Sequence, residues 1–124
     1  TMFGRRRHFP GIQSGAPFIR AAAERMAINA PVQGTAADVM RLAILQVDKY
    51  IKDNKLTDDV RILLQVHDEL VFEVKESKLV EVIPYLKTAM ESVLDDKTNH
   101  GIPILVDVQV GDNWNALASY KVEG

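Results

Sequence analysis

The sequence predicts an α+β fold in which helices pack on one face of an antiparallel three-stranded sheet. Three observations indicate it. After a loop-like segment at 1–17, helical patterns cover 20–29 and 35–52. Two apolar runs flank a short polar segment at 67–70, and a further apolar run covers 104–110. The predicted order is helix, helix, strand, strand, helix, strand. A chain of 124 residues can bury its own core, so we expect a single domain over 1–124.

Two helices are predicted in the first half of the chain. The alanine-rich segment Arg20–Asn29 favours a helix that ends before Pro31, because the residue before a proline is disfavoured in the helical region. Gln33-Gly34 is then a break. A second helix is predicted over 35–52, with Asp38 completing a capping box at its start.

A β-hairpin is predicted next, with strands at Val60–Val66 and Val71–Val74. The first strand is apolar on both faces, so we expect it to be central in the sheet and covered by helices. A third strand is predicted at Ile104–Val110, followed by a weakly structured tail.

The third helix is predicted between the hairpin and the last strand, over Ser77–Leu94. Apolar residues recur on one side of it. Pro84 should kink this helix or move its start to a later residue.

The composition is that of an ordinary globular domain, with 47% apolar and 26% charged residues. The chain has no cysteine, which excludes disulfides and thiolate metal sites. No apolar run reaches the roughly 18 residues of a membrane span, so we expect no membrane partner. The absence of cysteine fits a reducing compartment such as the cytoplasm. Thr1 precedes Met2, so we expect either a piece of a longer chain or a residue left by cloning.

Positive net charge is concentrated in the first third of the chain. Residues 1–41 contain six arginines and two acidic residues, a net charge of +4, whereas residues 42–124 contain nine basic and fifteen acidic residues, a net charge of −6. Arg5, Arg6 and Arg7 stand together, and guanidinium groups suit bidentate contact with phosphates. The cluster predicts contact with a nucleic-acid backbone; a solvated basic loop is the alternative.

The hairpin tip carries His67, Asp68 and Glu69. Neighbouring carboxylates beside apolar strands are costly without a cation, and hard oxygen ligands suit Mg²⁺ or Mn²⁺. Asp68 is the candidate metal ligand, while Glu69 should point to the other face of the hairpin. The alternative is a solvated acidic turn. His67 could hold a phosphate, or it could be a structural hydrogen-bonding residue.

Arg25, Asn29 and Gln33 are spaced by four residues, which places them on one face of a helix if the helix continues. Because of the predicted break, we expect Gln33 to lie just past the helix end. A guanidinium and two amides suit the acceptors of the DNA minor groove, which A·T and T·A pairs present almost alike. An ordinary polar helix surface is the alternative.

Four segments together resemble the C-terminal part of family A DNA polymerases, the bacterial DNA polymerase I type. They are GRRR at 4–7, AAERMAINAPVQGTAAD at 22–38, QVHDELVFE at 65–73 and VGDNW at 110–114. Their order and separation make the resemblance specific, and it covers nearly the whole chain.

The resemblance implies a palm subdomain with the adjoining end of the fingers. Asp68 would be one of two aspartates that bind the catalytic Mg²⁺ (or Mn²⁺) ions, Glu69 would support it, and His67 would lie near the primer 3′ end. Arg25, Asn29 and Gln33 would contact the minor groove of primer–template DNA. The parent enzyme would use deoxynucleoside triphosphates and act at the bacterial nucleoid.

The sequence departs from the family in one residue and in two missing parts. Gly11 stands where family members usually have an acidic residue. The family's second metal-binding aspartate and its nucleotide-gripping helix with Arg, Lys and Tyr do not occur here, and neither Asp107 nor Asp112 has a spacing that replaces the aspartate. We therefore expect the chain to be inactive without the remainder of the polymerase. A non-catalytic nucleic-acid-binding or assembly module is the alternative.

Overall fold

The computed structural model describes residues 1–95 and 97–122. These group into two compact units, residues 1–41 and residues 42–124. The helices are α1 (Pro17–Asp53) and α2 (Leu79–Glu91), and the strands are β1 (Val60–Val66), β2 (Glu69–Val74), β3 (Val108–Val110) and β4 (Ala118–Tyr120). Short 3₁₀ helices cover Pro10–Gln13, Glu76–Lys78 and Trp114–Ala116.

A single helix, α1, replaces the two helices predicted for the first half. It begins with Pro17, whose missing N–H costs nothing at a helix start, and it continues through Pro31 and Gly34. The predicted break is therefore wrong. Pro31 removes only the hydrogen bond to the carbonyl of Ala27, and the alanines on both sides of it favour the helix.

The end of α1 is closed by a Schellman motif. Lys55 has a φ of +57°, in the left-handed region. The N–H of Leu56 donates to the carbonyl of Ile51 at 2.8 Å, and the N–H of Lys55 donates to that of Lys52 at 3.2 Å. Leu56 and Ile51 are both buried, so the motif also directs the chain from the helix into the core.

The core of the second unit lies between the helices and one face of the β1–β2 hairpin. The strands are antiparallel, with Val60 opposite Val74 and Ile62 opposite Phe72. These side chains share one face, as the strand period of two requires, and they pack with both helices. The buried cluster consists of Val47, Ile51, Leu56, Val60, Val82 and Leu86. The predicted packing of helices on one face of the hairpin is confirmed.

The other face of β1 is open, contrary to the prediction that this strand is central and covered. Among the described strands, β1 is paired with β2 alone. Leu63 and Leu64 are 50% and 47% exposed. The register shifts between Ile62 and Leu64, so Leu63 is the extra residue of a β-bulge. Because a bulge interrupts the alternation of faces, Leu64 does not follow Ile62 into the core.

Helix α2 is shorter than the predicted Ser77–Leu94, and it is preceded by a 3₁₀ turn. Pro84 lies inside α2 without ending it. The carbonyl that loses its donor is that of Val80, a residue 78% exposed, so water can replace the missing bond. The predicted apolar side is confirmed by the burial of Val82, Ile83 and Leu86.

The predicted three-stranded sheet is wrong for the described residues, which form two antiparallel sheets of two strands each. Only Val108–Val110 of the predicted third strand is a strand, and it pairs with Ala118–Tyr120 of the predicted weakly structured tail. Closing a short loop between two strands costs less conformational entropy than closing a long one. This favours the pairing of β3 with β4, which follows it closely in the chain. Gly111 permits the turn, because a Cβ there would lie 2.2 Å from the carbonyl oxygen of Ala116.

Among the residues that the structure describes, no helix combines the length and the apolarity that a membrane crossing requires.

Candidate functional site

Arg25, Asn29 and Gln33 lie on the same uninterrupted helix, α1, and all three are exposed. The expectation that Gln33 lies past a helix end is therefore wrong. Steps of four residues turn only slightly around a helix, and a rise of about 1.5 Å per residue spreads the three over about 12 Å of its length. We call these three residues the polar row; it presents one guanidinium and two amides side by side.

The arginines of the N-terminal segment are exposed but have different surroundings. The guanidinium carbon of Arg7 lies 5.1 Å from the centre of the Phe9 ring, a cation–π contact. Arg5 is held by an ion pair, whereas the structure records no such pair for Arg6 within the described chain. The three arginines of the cluster are therefore not equivalent, because they differ in their contacts.

The partner of Arg5 is Asp38, a buried acid on α1. Its Oδ1 accepts from Arg5 Nε at 2.9 Å and from Arg41 Nη1 at 3.1 Å. The pKa of Asp38 is lowered, first by a hydrogen bond with the Thr1 side chain and then by the two guanidinium groups, while desolvation acts in the opposite direction. The predicted capping box is wrong because α1 does not begin near Asp38.

Sequence reasoning missed the role of Asp38. The sequence did contain a signal for an ion pair. Residues 1–41 hold six arginines and only two acidic residues, and Asp38 is followed by Arg41 three residues later on the same helix.

A groove of about 730 Å³ lies between the N-terminal segment and α1 within the first unit. We call it the arginine groove. Four arginines line it, and Gln33 of the polar row contributes to the opposite, helical part of its lining. Its remaining lining residues are Thr1, His8, Phe9, Ala27, Ala30, Pro31, Gly34 and Ala37. The groove therefore offers three arginines from the N-terminal segment, and Arg41 together with the Gln33 amide from α1.

The hairpin tip belongs to the second unit. Val66 pairs with Glu69, so His67 and Asp68 alone form the turn between β1 and β2. His67 has a φ of +53°, a region that favours glycine. All three tip residues are exposed. Asp68 thus stands at the point where the chain reverses, with its carboxylate open to a ligand.

Asp68 fits a metal ion as a single ligand. Mg²⁺ in proteins is usually bound by one or two carboxylates together with water and substrate phosphates. Within residues 1–95 and 97–122, no three His, Cys, Asp or Glu side chains come together as the ligands of one ion would. These residues therefore do not supply a site with three or more protein ligands.

Comparison with known proteins matches these features to one family. The family model described as DNA polymerase family A matches residues 1–116. DNA polymerase I of Rhizobium leguminosarum is 43% identical over 115 residues, covering 93% of this chain and 11% of that protein. DNA polymerase I of Pseudomonas aeruginosa is 44% identical over 117 residues, covering 93% of this chain and 12% of that protein.

A solved structure of a polymerase domain also resembles this chain. The polymerase domain of Pol1 from M. smegmatis, in complex with DNA primer-template and dNTP, is 46% identical with a TM-score of 0.72. The match covers 77% of this chain and 16% of that one. The chain spans about 11–12% of the length of the two curated relatives. With the family model matching 116 of its 124 residues, this chain belongs to DNA polymerase family A.

Proposed function

We propose that these residues form the end of the fingers and part of the palm of a DNA-directed DNA polymerase. The observation that carries the proposal is the place of Asp68, an exposed carboxylate in a two-residue turn inside the family-matched region. The reaction joins a deoxynucleoside triphosphate to a primer. The primer 3′-oxygen bonds to the α-phosphorus, the bond to the β-phosphate oxygen breaks, pyrophosphate leaves and the hydroxyl proton passes to solvent.

Asp68 serves this reaction as a metal ligand. Bound Mg²⁺ or Mn²⁺ would supply electrostatic stabilisation of the attacking and leaving oxygens. The two-residue turn presents the Asp68 carboxylate beyond the end of the sheet, where neither strand covers it. Glu69, paired with Val66 in the first position of β2, supports the site from the neighbouring position.

His67 holds the primer end. Its ring is exposed at the turn beside Asp68, and a ring N–H can donate to a phosphate oxygen. The left-handed backbone of His67 is sparsely populated by residues other than glycine, and such positions cluster at functional sites. A two-residue hairpin turn itself favours a positive φ at its first position, so the role proposed for His67 rests on its exposed ring beside Asp68.

The polar row reads the shape of the duplex. Amide and guanidinium donors on one helical face suit the purine N3 and pyrimidine O2 acceptors of the minor groove. Because all four base pairs offer those acceptors, such contacts test pairing geometry and are tolerant of sequence. The continuity of α1 supports this role, since Gln33 shares one helix with Arg25 and Asn29.

The arginine segment binds the DNA backbone. Arg6 and Arg7 are exposed in a unit with a net charge of +4, and each cation that neutralises a phosphate releases a condensed counterion. Arg5 is engaged with Asp38, so its contribution is mainly to hold the segment.

The 124 residues by themselves are expected not to extend a primer. Two-metal transfer needs carboxylates on both sides of the ion pair, and Asp68 provides one side. The second ligand and the nucleotide-binding helix would come from the remainder of the polymerase chain. The net charge of +4 on residues 1–41 favours one other candidate, a DNA-binding module without catalysis.

The test is a chimera in which residues 1–116 replace the matching part of the M. smegmatis polymerase domain. We expect primer extension by the chimera. Asp68→Asn should reduce extension by at least about a thousandfold, the scale of losing a key electrostatic group, with duplex binding unchanged within about twofold. Asp58→Asn, an exposed acid in the loop before β1, is the matched control and should extend normally.

Two outcomes would count against the proposal. Retention of more than a few per cent of extension by Asp68→Asn would remove Asp68 from metal binding. A chimera that binds duplex DNA but does not extend it, while the host domain does, would favour the non-catalytic module.

A further inference from the structure

The N-terminal segment is attached to one stretch of α1 by three hydrogen bonds. The N–H of Met2 donates to Thr35 Oγ1 at 3.0 Å. Arg5 donates twice, from Nε to Asp38 Oδ1 at 2.9 Å and from Nη2 to the carbonyl of Gly34 at 3.2 Å. All three acceptors lie just after Gln33 on the helix, so the attachment adjoins the polar row.

Gly34 permits this close approach. A Cβ built on Gly34 would lie 2.8 Å from Thr1 Cγ2, closer than real side chains come, and 3.5 Å from Arg5 Nη2. Glycine inside a helix is otherwise unfavourable by about 0.5–1 kcal/mol relative to alanine. An alanine at this position would therefore have to displace the Thr1 side chain, whereas its contact with Arg5 Nη2 would be an ordinary one.

Asp38 is the charged anchor of the attachment. It is the only buried charged or polar residue among those described, and two guanidinium groups share its Oδ1. Hydrogen bonds between ionised partners are shorter and stronger than neutral ones. Asp38, whose pKa is lowered, is ionised at neutral pH, and its direct hydrogen bond holds Arg5.

The attachment restricts the positions of Arg6 and Arg7. Arg6 and Arg7 follow Arg5 directly and line the arginine groove together with Gln33. The contact of Arg7 with Phe9 further limits its range of positions. Two exposed cations on a free segment would have to be ordered on binding, at an entropic cost that a held segment avoids.

We propose that Asp38 is a positioning residue. Through Arg5 it holds residues 1–7 on α1, and it thereby sets Arg6 and Arg7 to contact the phosphates of a duplex whose minor groove faces Gln33. The choice of duplex DNA as the ligand rests on the proposed function. The attachment of the segment does not, and it is measured separately.

Three variants test the proposal. Asp38→Asn keeps the shape of the anchor and removes its charge. Gly34→Ala changes no charge and favours the helix, so weaker binding by this variant cannot come from unfolding of α1. Asp48→Asn is the matched control: it removes one carboxylate from α1, where Asp48 pairs with Lys52 at 2.7 Å.

The first measurement needs no DNA. Hydrogen exchange of the Met2 amide and the Arg5 Nε–H, followed by NMR, reports whether the segment is attached. We expect exchange to be faster by about tenfold or more in Asp38→Asn and Gly34→Ala, and unchanged in Asp48→Asn. Equal exchange in all four proteins would overturn the attachment.

The second measurement is binding to a fluorescein-labelled primer–template duplex by anisotropy. Charge alone predicts tighter binding by both asparagine variants, because each loses a negative charge. Positioning predicts about fivefold weaker binding by Asp38→Asn and Gly34→Ala, with no weakening in Asp48→Asn. Asp38→Asn binding as tightly as Asp48→Asn would overturn the positioning role.

The salt dependence separates positioning from a general loss of structure. If Arg6 and Arg7 lose their phosphate contacts, the slope of log K against log salt should become shallower by about 1 to 2 in both variants. A partly unfolded protein would lose binding amplitude without that change in slope. Asp38→Glu, which restores the charge, should recover both affinity and slope in part.

One outcome concerns the proposed function alone. If exchange changes as expected and the unaltered protein does not bind the duplex, the attachment stands and the DNA-binding role of the groove is wrong.

Discussion

The rings of Tyr50 and Tyr85 are stacked, with centroids 5.5 Å apart and planes inclined by 19°. Tyr50 lies near the end of α1 and Tyr85 in the middle of α2, so the stack links the two helices at the border of the buried cluster. Aromatic pairs of this kind contribute beyond the area that they bury.

Loss of the stack should lower stability measurably. Tyr85→Ala is expected to reduce the free energy of unfolding by about 1–2 kcal/mol, because it removes both the aromatic pair and the partial burial of the ring. Urea unfolding followed by circular dichroism measures this. Tyr85→Phe keeps the stack and should remain within about 0.5 kcal/mol of the original protein. A similar loss in both variants would assign the effect to the hydroxyl.

Stability should fall at alkaline pH through Tyr50. Its pKa is raised above 10.0, first by desolvation and then by Tyr85 and Glu81. Since the unfolded protein releases this proton at a lower pH than the folded one, the stabilisation is complete below pH 10.0 and is lost as pH rises through the folded pKa. Tyr50→Phe should show a smaller decline over that range when both proteins are unfolded in urea. Identical declines would exclude Tyr50 as the cause.

Pro31→Ala should stabilise the helix. The substitution restores the hydrogen bond to the carbonyl of Ala27 and relieves the proline ring contact, which together are expected to raise the free energy of unfolding by about 1–3 kcal/mol. Val32→Ala, at an exposed neighbour in the same helix, should change stability by less than about 1 kcal/mol. Destabilisation by Pro31→Ala would mean that α1 depends on the fixed φ of the proline.

Gly111→Ala should disrupt the β3–β4 hairpin. The new Cβ would meet the carbonyl oxygen and carbon of Ala116 at 2.2 and 2.8 Å, and backbone atoms cannot move aside cheaply. We expect a loss of about 1–3 kcal/mol and a changed fluorescence of Trp114, which lies in the same turn. Gly15→Ala is the control, because a Cβ there meets no atom within 4 Å. An unchanged emission spectrum in Gly111→Ala would contradict this account of the turn.

Gln33→Ala should weaken duplex binding without changing its salt dependence. Loss of a neutral donor in the minor groove is expected to cost about 1 kcal/mol, or about fivefold in affinity, on A·T-rich and G·C-rich duplexes alike. Arg6→Gln should instead make the salt slope shallower by about 1, since it removes a phosphate contact. An effect of Gln33→Ala confined to one base pair would contradict shape recognition.

Short-range patterns in the sequence were sufficient for several parts of the molecule. Two apolar runs around a short polar segment predicted the β1–β2 hairpin with Asp68 in its turn, and helical spacing predicted the buried side of α2. The spacing of four residues placed Arg25 and Asn29 on one helical face, but the predicted break wrongly put Gln33 past the end of that helix. These features depend on interactions between residues that are close in sequence, so they can be predicted from the sequence alone.

Other features were decided by the tertiary structure. Helix α1 continues through Pro31 although the proline cannot donate to the carbonyl of Ala27. A bulge at Leu63 leaves one face of the β1–β2 hairpin open. Strand β3 pairs with β4 across a turn that has no room for a side chain at position 111. Asp38 is matched with Arg5 across 33 positions of sequence. Pairings between residues so far apart in sequence depend on how the whole chain folds. Local propensity and residue spacing do not predict them.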